Sequence, residues 1–225
     1  MGLLEQLAPN LVDVIRRDIW WMGWNTLLAW VPVALACVIF RRKASRTRSP
    51  FWWAGFLLFV LFLPNAPYVV TDLVHLRRDL LLAEHDGAAV TAVLPVYAVF
   101  IGSGLLAYCL ALSRLRRHLV RAGLGEWQGR VTVAAHAVCG IGVFLGRWAR
   151  LNSWEPVIDP NGTLERIVLH LTWSWAPVLI LGTFLATWIG HFITKAIAEA
   201  ARDSALRGVR QLQVTLAARR SPESP

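Results

Sequence analysis

Charged residues are scarce in this sequence: they make up 16% of its 225 residues, whereas hydrophobic residues make up 56%. Uncharged apolar runs of about 20 residues recur along the chain, which is the length that an α-helix needs to cross a bilayer. This composition excludes an ordinary soluble domain. It predicts an all-α, polytopic integral membrane protein built as one helical bundle.

Cysteine is also rare, and the three cysteines have no CxxC spacing. This pattern predicts neither a disulfide framework nor a metal knuckle. Cys37, Cys109 and Cys139 fall inside apolar segments, where we expect them to be small core residues. No HExxH or similar spacing is present either, so we expect neither a metal nor another cofactor.

Acidic residues are fewer than basic ones, and the net charge is +9. Basic residues beside membrane helices usually reflect insertion topology and contact with anionic lipid. We therefore expect no nucleic-acid partner. The expected partners are membrane lipids, with anionic inner-leaflet lipid at the basic C-terminal tail, and a membrane protein partner is a further option.

Five apolar segments are long enough to span a membrane. Their expected ranges are Trp20–Phe40, Phe51–Val70, Ala88–Leu112, Val131–Trp148 and Ile167–Ile193. Residues 1–19 place leucines at helical spacing against polar residues, which predicts an amphipathic interfacial segment. Residues 20–194 then form the transmembrane bundle, and residues 195–225 form a basic tail.

The basic residues are distributed unevenly between the two sides of these spans. Sixteen of the 23 follow the first, third and fifth spans, and the rest lie on the other side. The positive-inside rule therefore predicts an N-terminus outside and a C-terminus in the cytoplasm. The exits of the second and fourth spans then share the exoplasmic face.

The first polar motif interrupts the second span at residues 64–68, PNAPY. Two prolines remove backbone donors, so the helix should kink or end there, and the amide of Asn65 can satisfy a freed carbonyl. If the helix resumes, Tyr68, Asp72 and His75 share one face at i, i+4 and i+7. This face is either an interhelical hydrogen-bonding surface or a catalytic one, with Asp72 orienting His75 as a general base.

The second polar motif follows the fourth span. The uncharged residues before Arg147 cover only about 24 Å of helix, so Arg147 must lie at or just inside the membrane boundary. Arg150 follows at i+3, and two guanidinium groups on nearly the same face suit a phosphate or a carboxylate. A structural ion pair with Asp72 or Glu155 explains these arginines as simply.

Three more histidines, His136, His170 and His191, fall within the expected spans. An ionisable residue inside a membrane is a functional hypothesis by default. The simpler interpretation is that each is a neutral, hydrogen-bonded core residue.

The two motifs together resemble those of the domain-of-unknown-function family 1361, uncharacterised bacterial multi-pass membrane proteins. The matching segments are FLPNAPYVVTDLVHL at residues 62–76 and GIGVFLGRWARLNSWE at residues 140–155. The chain differs at Leu151, where the family usually has an aromatic residue, and at Glu155, where it usually has Asp. The resemblance implies a multi-pass protein of the bacterial plasma (inner) membrane and brings no established activity.

These motifs predict one polar cluster at the exoplasmic mouth of the bundle. Its expected members are Asn65, Tyr68, Asp72, His75, Arg147, Arg150, Asn152 and Glu155. The cluster either binds an anionic small ligand or lipid headgroup, or locks the helices for partner binding. The alternative is an envelope enzyme for a lipid-linked or phosphorylated substrate, with His75 and Asp72 as catalytic candidates.

Overall fold

The computed structural model describes residues 3–41, 49–82 and 87–220, and the regular elements within those ranges are helical. The α-helices are α1 (Leu3–Ile39), α2 (Pro50–Phe62), α3 (Asn65–Tyr68), α4 (Leu73–Leu82), α5 (Gly87–Arg121), α6 (Gln128–Arg147), α7 (Glu155–Ile158), α8 (Pro160–Leu171) and α9 (Ala176–Arg220). Short 3₁₀ segments at Val69–Asp72 and Gly125–Trp127 precede α4 and α6.

Five helical stretches are long and apolar enough to cross a membrane, which confirms the expected all-α, polytopic fold. They are Asp18–Ile39, Pro50–Leu81, Val93–Arg121, Gly125–Arg147 and Ala176–Gln211. The expected interfacial segment is continuous with the first span in α1. Its side chains, residues 1–17, and the basic cluster at 42–48 lie outside the described residues.

The second span is a broken helix, as the two prolines predict. Helix α2 ends at Phe62, and α3 and a 3₁₀ turn follow before the chain continues as α4. Pro67 has no amide hydrogen, so the amide of Ala66 bonds instead to the carbonyl of Leu63 at 3.3 Å. Asn65 donates from Nδ2 to the freed carbonyl of Phe62 at 3.0 Å, which is the role expected of its side chain.

The fifth span begins later than expected. Helix α8 ends at Leu171, and α9 starts only at Ala176, so the expected start at Ile167 was wrong. Pro177 lacks the amide hydrogen that an uninterrupted helix requires, and it fits in the first turn of α9. Helix α9 then continues to Arg220, so most of the expected basic tail is helical.

Small residues allow α1 and α5 to pack closely in the centre of the bundle. Ala29 and Ala36 of α1, with Ala107 of α5, are completely or almost completely buried. Cys109 and Cys139 are buried as expected, whereas Cys37 is exposed on the surface of α1, contrary to its expected core position.

Helix α6 joins α9 to the first motif. Thr183 of α9 donates from Oγ1 to the carbonyl of Gly140 at 3.0 Å. On another side of α6, a Cβ atom placed on Gly142 would overlap the ring of Pro64. These contacts bring the ends of α2 and α6, and hence the two polar motifs, together.

Candidate functional site

A buried carboxylate lies where the ends of α2 and α6 meet. Asp72 has an exposed fraction of 1%. Arg147 donates from Nη1 to Oδ1 of Asp72 at 3.5 Å, and Asn25 of α1 donates from Nδ2 to Oδ2 at 3.2 Å. The ion pair of Asp72 with Arg147 is therefore present. Asn25 is a second partner of Asp72 that the motifs did not reveal.

His75 lies beside this carboxylate without a hydrogen bond to it. Its Nε2 is 3.9 Å from Oδ1 of Asp72, which is ion-pair range but too long for a hydrogen bond. Its ring packs against Trp21, with the ring centroids 4.9 Å apart. The carboxylate thus orients Arg147 rather than the imidazole. We call Asn25, Asp72, His75 and Arg147 the Asp72 cluster.

Tyr68 belongs to a different surface from Asp72 and His75. It lines a cavity next to the Asp72 cluster, whereas Asp72 and His75 do not. The cause is the 3₁₀ segment Val69–Asp72. A 3₁₀ helix turns about 120° per residue instead of about 100°, so four residues rotate Asp72 about 80° further than the expected α-helix would.

This cavity has a volume of about 480 Å³ and lies between α1, α2 and α6, with α8 contributing to its wall. Four of the eight sequence-predicted site residues line it: Asn65, Tyr68, Arg150 and Asn152. The other four, Asp72, His75, Arg147 and Glu155, do not. The single cluster expected from the sequence is therefore divided in two. Asn25 connects the parts, because it lines the cavity and also donates to Asp72.

Arg150 lines the cavity and has an unusual backbone conformation. Helix α6 ends at Arg147, and Arg150 has a φ of 53°, in the left-handed region. It therefore does not share a helical face with Arg147, contrary to expectation. Its side chain is exposed and, within the ranges that the structure describes, forms no hydrogen bond or ion pair.

Hydrogen bonds hold the loop after Arg150 against the first motif. Asn65 donates from Nδ2 to Oγ of Ser153 at 2.7 Å. Asn152 donates to Oε1 of Glu155 through its backbone amide at 3.1 Å and its side-chain amide at 2.7 Å. Arg166 of α8 pairs with Oε2 of Glu155 at 3.0 Å. Glu155 is thus engaged within the loop and does not face the cavity.

Thr163 of α8 completes the polar part of the cavity wall. Its exposed fraction is 2%, and its Oγ1 has no hydrogen-bond partner among the described residues. A buried hydroxyl without a partner is costly. No local motif surrounds Thr163 in the sequence, so it was not among the predicted site residues.

The remaining candidate histidines lie away from this cavity. His136 is 2.9 Å from the hydroxyl of Tyr108 through Nδ1, and Nδ1 of His191 is 3.2 Å from Sγ of Cys109. His170 lies in α8 and not in a span, contrary to expectation. Within the described part of the chain, no three His, Cys, Asp or Glu side chains are grouped to hold a metal ion.

The fold and this site define a helical multi-pass membrane protein with a cavity at one end of its bundle. A family described as "Protein of unknown function (DUF1361)" matches residues 24–189, a range that includes both motifs. The match covers well over half of the sequence, and the chain belongs to that family. No curated protein and no solved structure matches this chain.

Proposed function

We propose that this protein binds an anionic group, carried by a small ligand or a lipid headgroup, in the cavity beside Arg150. The observation that carries the proposal is Arg150, which lines the cavity and whose side chain has no counter-ion among the described residues. A guanidinium group binds phosphate and carboxylate oxygens through parallel N–H donors. Thr163, whose buried hydroxyl has no partner among the described residues, lies in the same wall.

The backbone at Arg150 supports this role. A non-glycine residue with positive φ costs on the order of 1 kcal/mol or more relative to an ordinary conformation, and such residues cluster at ligand sites. Glycine would adopt the same conformation without that cost. The presence of arginine at this position is readily understood if its side chain binds the anionic group.

The Asp72 cluster has a different role in this proposal, because it locks α1, the 3₁₀ turn before α4 and the end of α6 together. Its charges face each other at 3.5 Å instead of facing the cavity. The alternative of an envelope enzyme receives no support from these contacts, since both catalytic candidates, His75 and Asp72, lie outside the cavity lining.

We further propose that the protein resides in the bacterial inner membrane with the cavity on the exoplasmic side. The excess of basic residues after the first, third and fifth spans supports this orientation, because such residues favour the cytoplasmic side. In that orientation, Lys195 and the arginines of the helical tail are available to anionic inner-leaflet lipid and to a membrane protein partner.

Ligand-induced thermal stabilisation of the purified full-length protein tests the binding function. The probes are glycerol phosphate, a soluble anion, and a short-chain phosphatidylglycerol, which carries the same group on a lipid. We expect at least one probe to raise the midpoint of thermal unfolding, because a ligand that binds only the folded state stabilises it by mass action. Arg150→Gln should weaken binding about tenfold or more, the value of one charge-assisted hydrogen bond.

Arg77→Gln is the matched control. Arg77 is an exposed arginine of α4 that does not line the cavity. Arg77→Gln should leave the stabilisation by the two probes unchanged. Absence of stabilisation by both probes, or an equal response of the Arg150 variant, contradicts the proposal.

A further inference from the structure

We infer that the ligand of this cavity is an anionic membrane lipid, which enters from the bilayer and places its headgroup at Arg150 and an acyl chain along α6. This inference rests on the binding function proposed above and names its ligand class. A soluble anion with the same phosphate chemistry is the competing source. The shape, the lining and the opening of the cavity favour the lipid.

The cavity extends well below its polar rim. Its lining follows α6 from Gly146 to Val138, eight residues that correspond to about 12 Å along the helix. The walls at this level are apolar: Leu28, Val60, Leu61, Val138, Ile141 and Leu145. The volume of about 480 Å³ far exceeds the space that one phosphate group needs. An acyl chain would fill the apolar remainder and gain hydrophobic free energy there.

The cavity also borders the bilayer. Val138 and Ile141 line it, yet their exposed fractions are 38% and 39%. Both residues belong to the membrane-spanning part of α6, and exposed surface at that depth is open to lipid. Trp24 of α1, another lining residue, has an exposed fraction of 53%. Apolar residues that line a cavity and face lipid at the same time mark an opening from the hydrocarbon region.

The polar groups lie where a headgroup would be. Arg150 follows the last residue of α6 by three positions, at the end of the membrane span. Trp154 lines the same part of the cavity, and Trp is enriched at the level of lipid headgroups. The order along the cavity is therefore that of a lipid: a cation at the interface, and apolar walls at hydrocarbon depth.

Site-specific photocrosslinking in nanodiscs tests this inference with the full-length protein. Photoreactive benzoylphenylalanine replaces Ile141, and the nanodisc contains a minority of phosphatidylglycerol in phosphatidylcholine. The matched control carries the probe at Leu181, an exposed residue of α9 that is five residues from the start of its helix and does not line the cavity. Ile141 is six residues from the end of α6, so both probes sample a similar depth.

We expect phosphatidylglycerol to be enriched about tenfold over its bulk fraction in the adduct at Ile141, the ratio that one charge-assisted contact of about 1.4 kcal/mol produces. Adding Arg150→Gln should return the adduct to the bulk ratio, and the probe at Leu181 should give the bulk ratio throughout. A probe at Val138 provides an independent measurement if the Ile141 variant does not fold.

If the adducts of the folded probe variants contain phosphatidylglycerol only at its bulk fraction, the lipid inference is wrong. If glycerol phosphate still stabilises the wild-type protein in an Arg150-dependent manner, the binding function stands and its ligand is a soluble anion. If Arg150→Gln changes neither the thermal stabilisation by glycerol phosphate nor the lipid composition of the adduct, the binding function is wrong together with the lipid inference.

Discussion

Two neighbouring regions of this protein differ in whether their charged groups have partners. In the Asp72 cluster, the buried carboxylate is bonded to Arg147 and Asn25. In the cavity, Arg150 and the hydroxyl of Thr163 have no such partner among the described residues. A satisfied cluster stabilises one arrangement of helices, whereas Arg150 is exposed and gains a counter-ion only when a ligand supplies one. Substitutions in the Asp72 cluster should therefore lower stability, whereas substitutions of Arg150 should reduce ligand binding without lowering stability.

The largest effect is expected from removing Arg147. Arg147→Gln leaves the carboxylate of Asp72, whose side chain is only 2% exposed, without its counter-ion. Breaking a buried ion pair from one side costs about 3 kcal/mol or more, so the thermal midpoint should fall substantially. Asp72→Asn should cost less, because the Arg147 side chain is 25% exposed and can reach interfacial water.

The double variant that combines Asp72→Asn with Arg147→Gln tests whether this ion pair stabilises the helices as a unit. If the pair acts as a unit, the double variant should lose less stability than the sum of the single losses. Strict additivity, or unchanged midpoints in all three variants, would show that the Asp72 cluster does not hold these helices.

A second substitution, Gly142→Ala, should push the two motifs apart. Gly142→Ala places a methyl group against the ring of Pro64, where neither backbone can yield easily. Overpacking of this kind costs about 1–3 kcal/mol, and the displacement should also weaken ligand binding. Gly182→Ala is the control, since a Cβ atom on that α9 residue meets nothing within 4 Å. Equal thermal midpoints for the two variants would contradict the close contact.

Asn65 provides the third test, because its amide bonds both to the carbonyl of Phe62 and to Ser153. Asn65→Ala removes two hydrogen bonds and leaves a carbonyl of the broken helix unsatisfied, which should cost about 2 kcal/mol. Ser153→Ala removes only the second bond and should cost about 1 kcal/mol or less. Comparison of their thermal midpoints isolates the bond inside the kink. A larger loss from Ser153→Ala would reverse this assignment.

The sequence predicted the parts of this architecture that depend on local pattern. The five spans follow from hydropathy, and the break at Pro64 follows from backbone chemistry. Asp72 and Arg147 were expected at a similar depth in the membrane, and their ion pair was one of the two interpretations of that placement. The partners that complete the site come from distant segments. Asn25 lies 47 residues before Asp72, and only its position as a lone amide in an apolar span marked it as unusual.

The division of the expected cluster into two sites has a local cause that the sequence did not reveal. An α-helical spacing placed Tyr68 with Asp72, but the 3₁₀ geometry of Val69–Asp72 rotates them onto different surfaces. A continued helix likewise placed Arg150 beside Arg147. Helix α6 ends at Arg147, and the left-handed residue of the following turn is Arg150 itself and not the glycine that usually marks such a turn.

That arginine allows the sharpest test of the contrast between the two regions. Arg150→Gly should raise the thermal midpoint, with a gain of about 1 kcal/mol, because glycine adopts a φ of 53° without the clash of a Cβ atom. The same change should abolish the Arg150-dependent binding of the phosphate probes, since it removes the cation. Arg150→Ala, which loses the cation but keeps the strained backbone, should lose binding with no gain in stability. If Arg150→Gly were instead destabilising, the guanidinium would hold the loop in place, and Arg150 would belong with the structural charges of the Asp72 cluster.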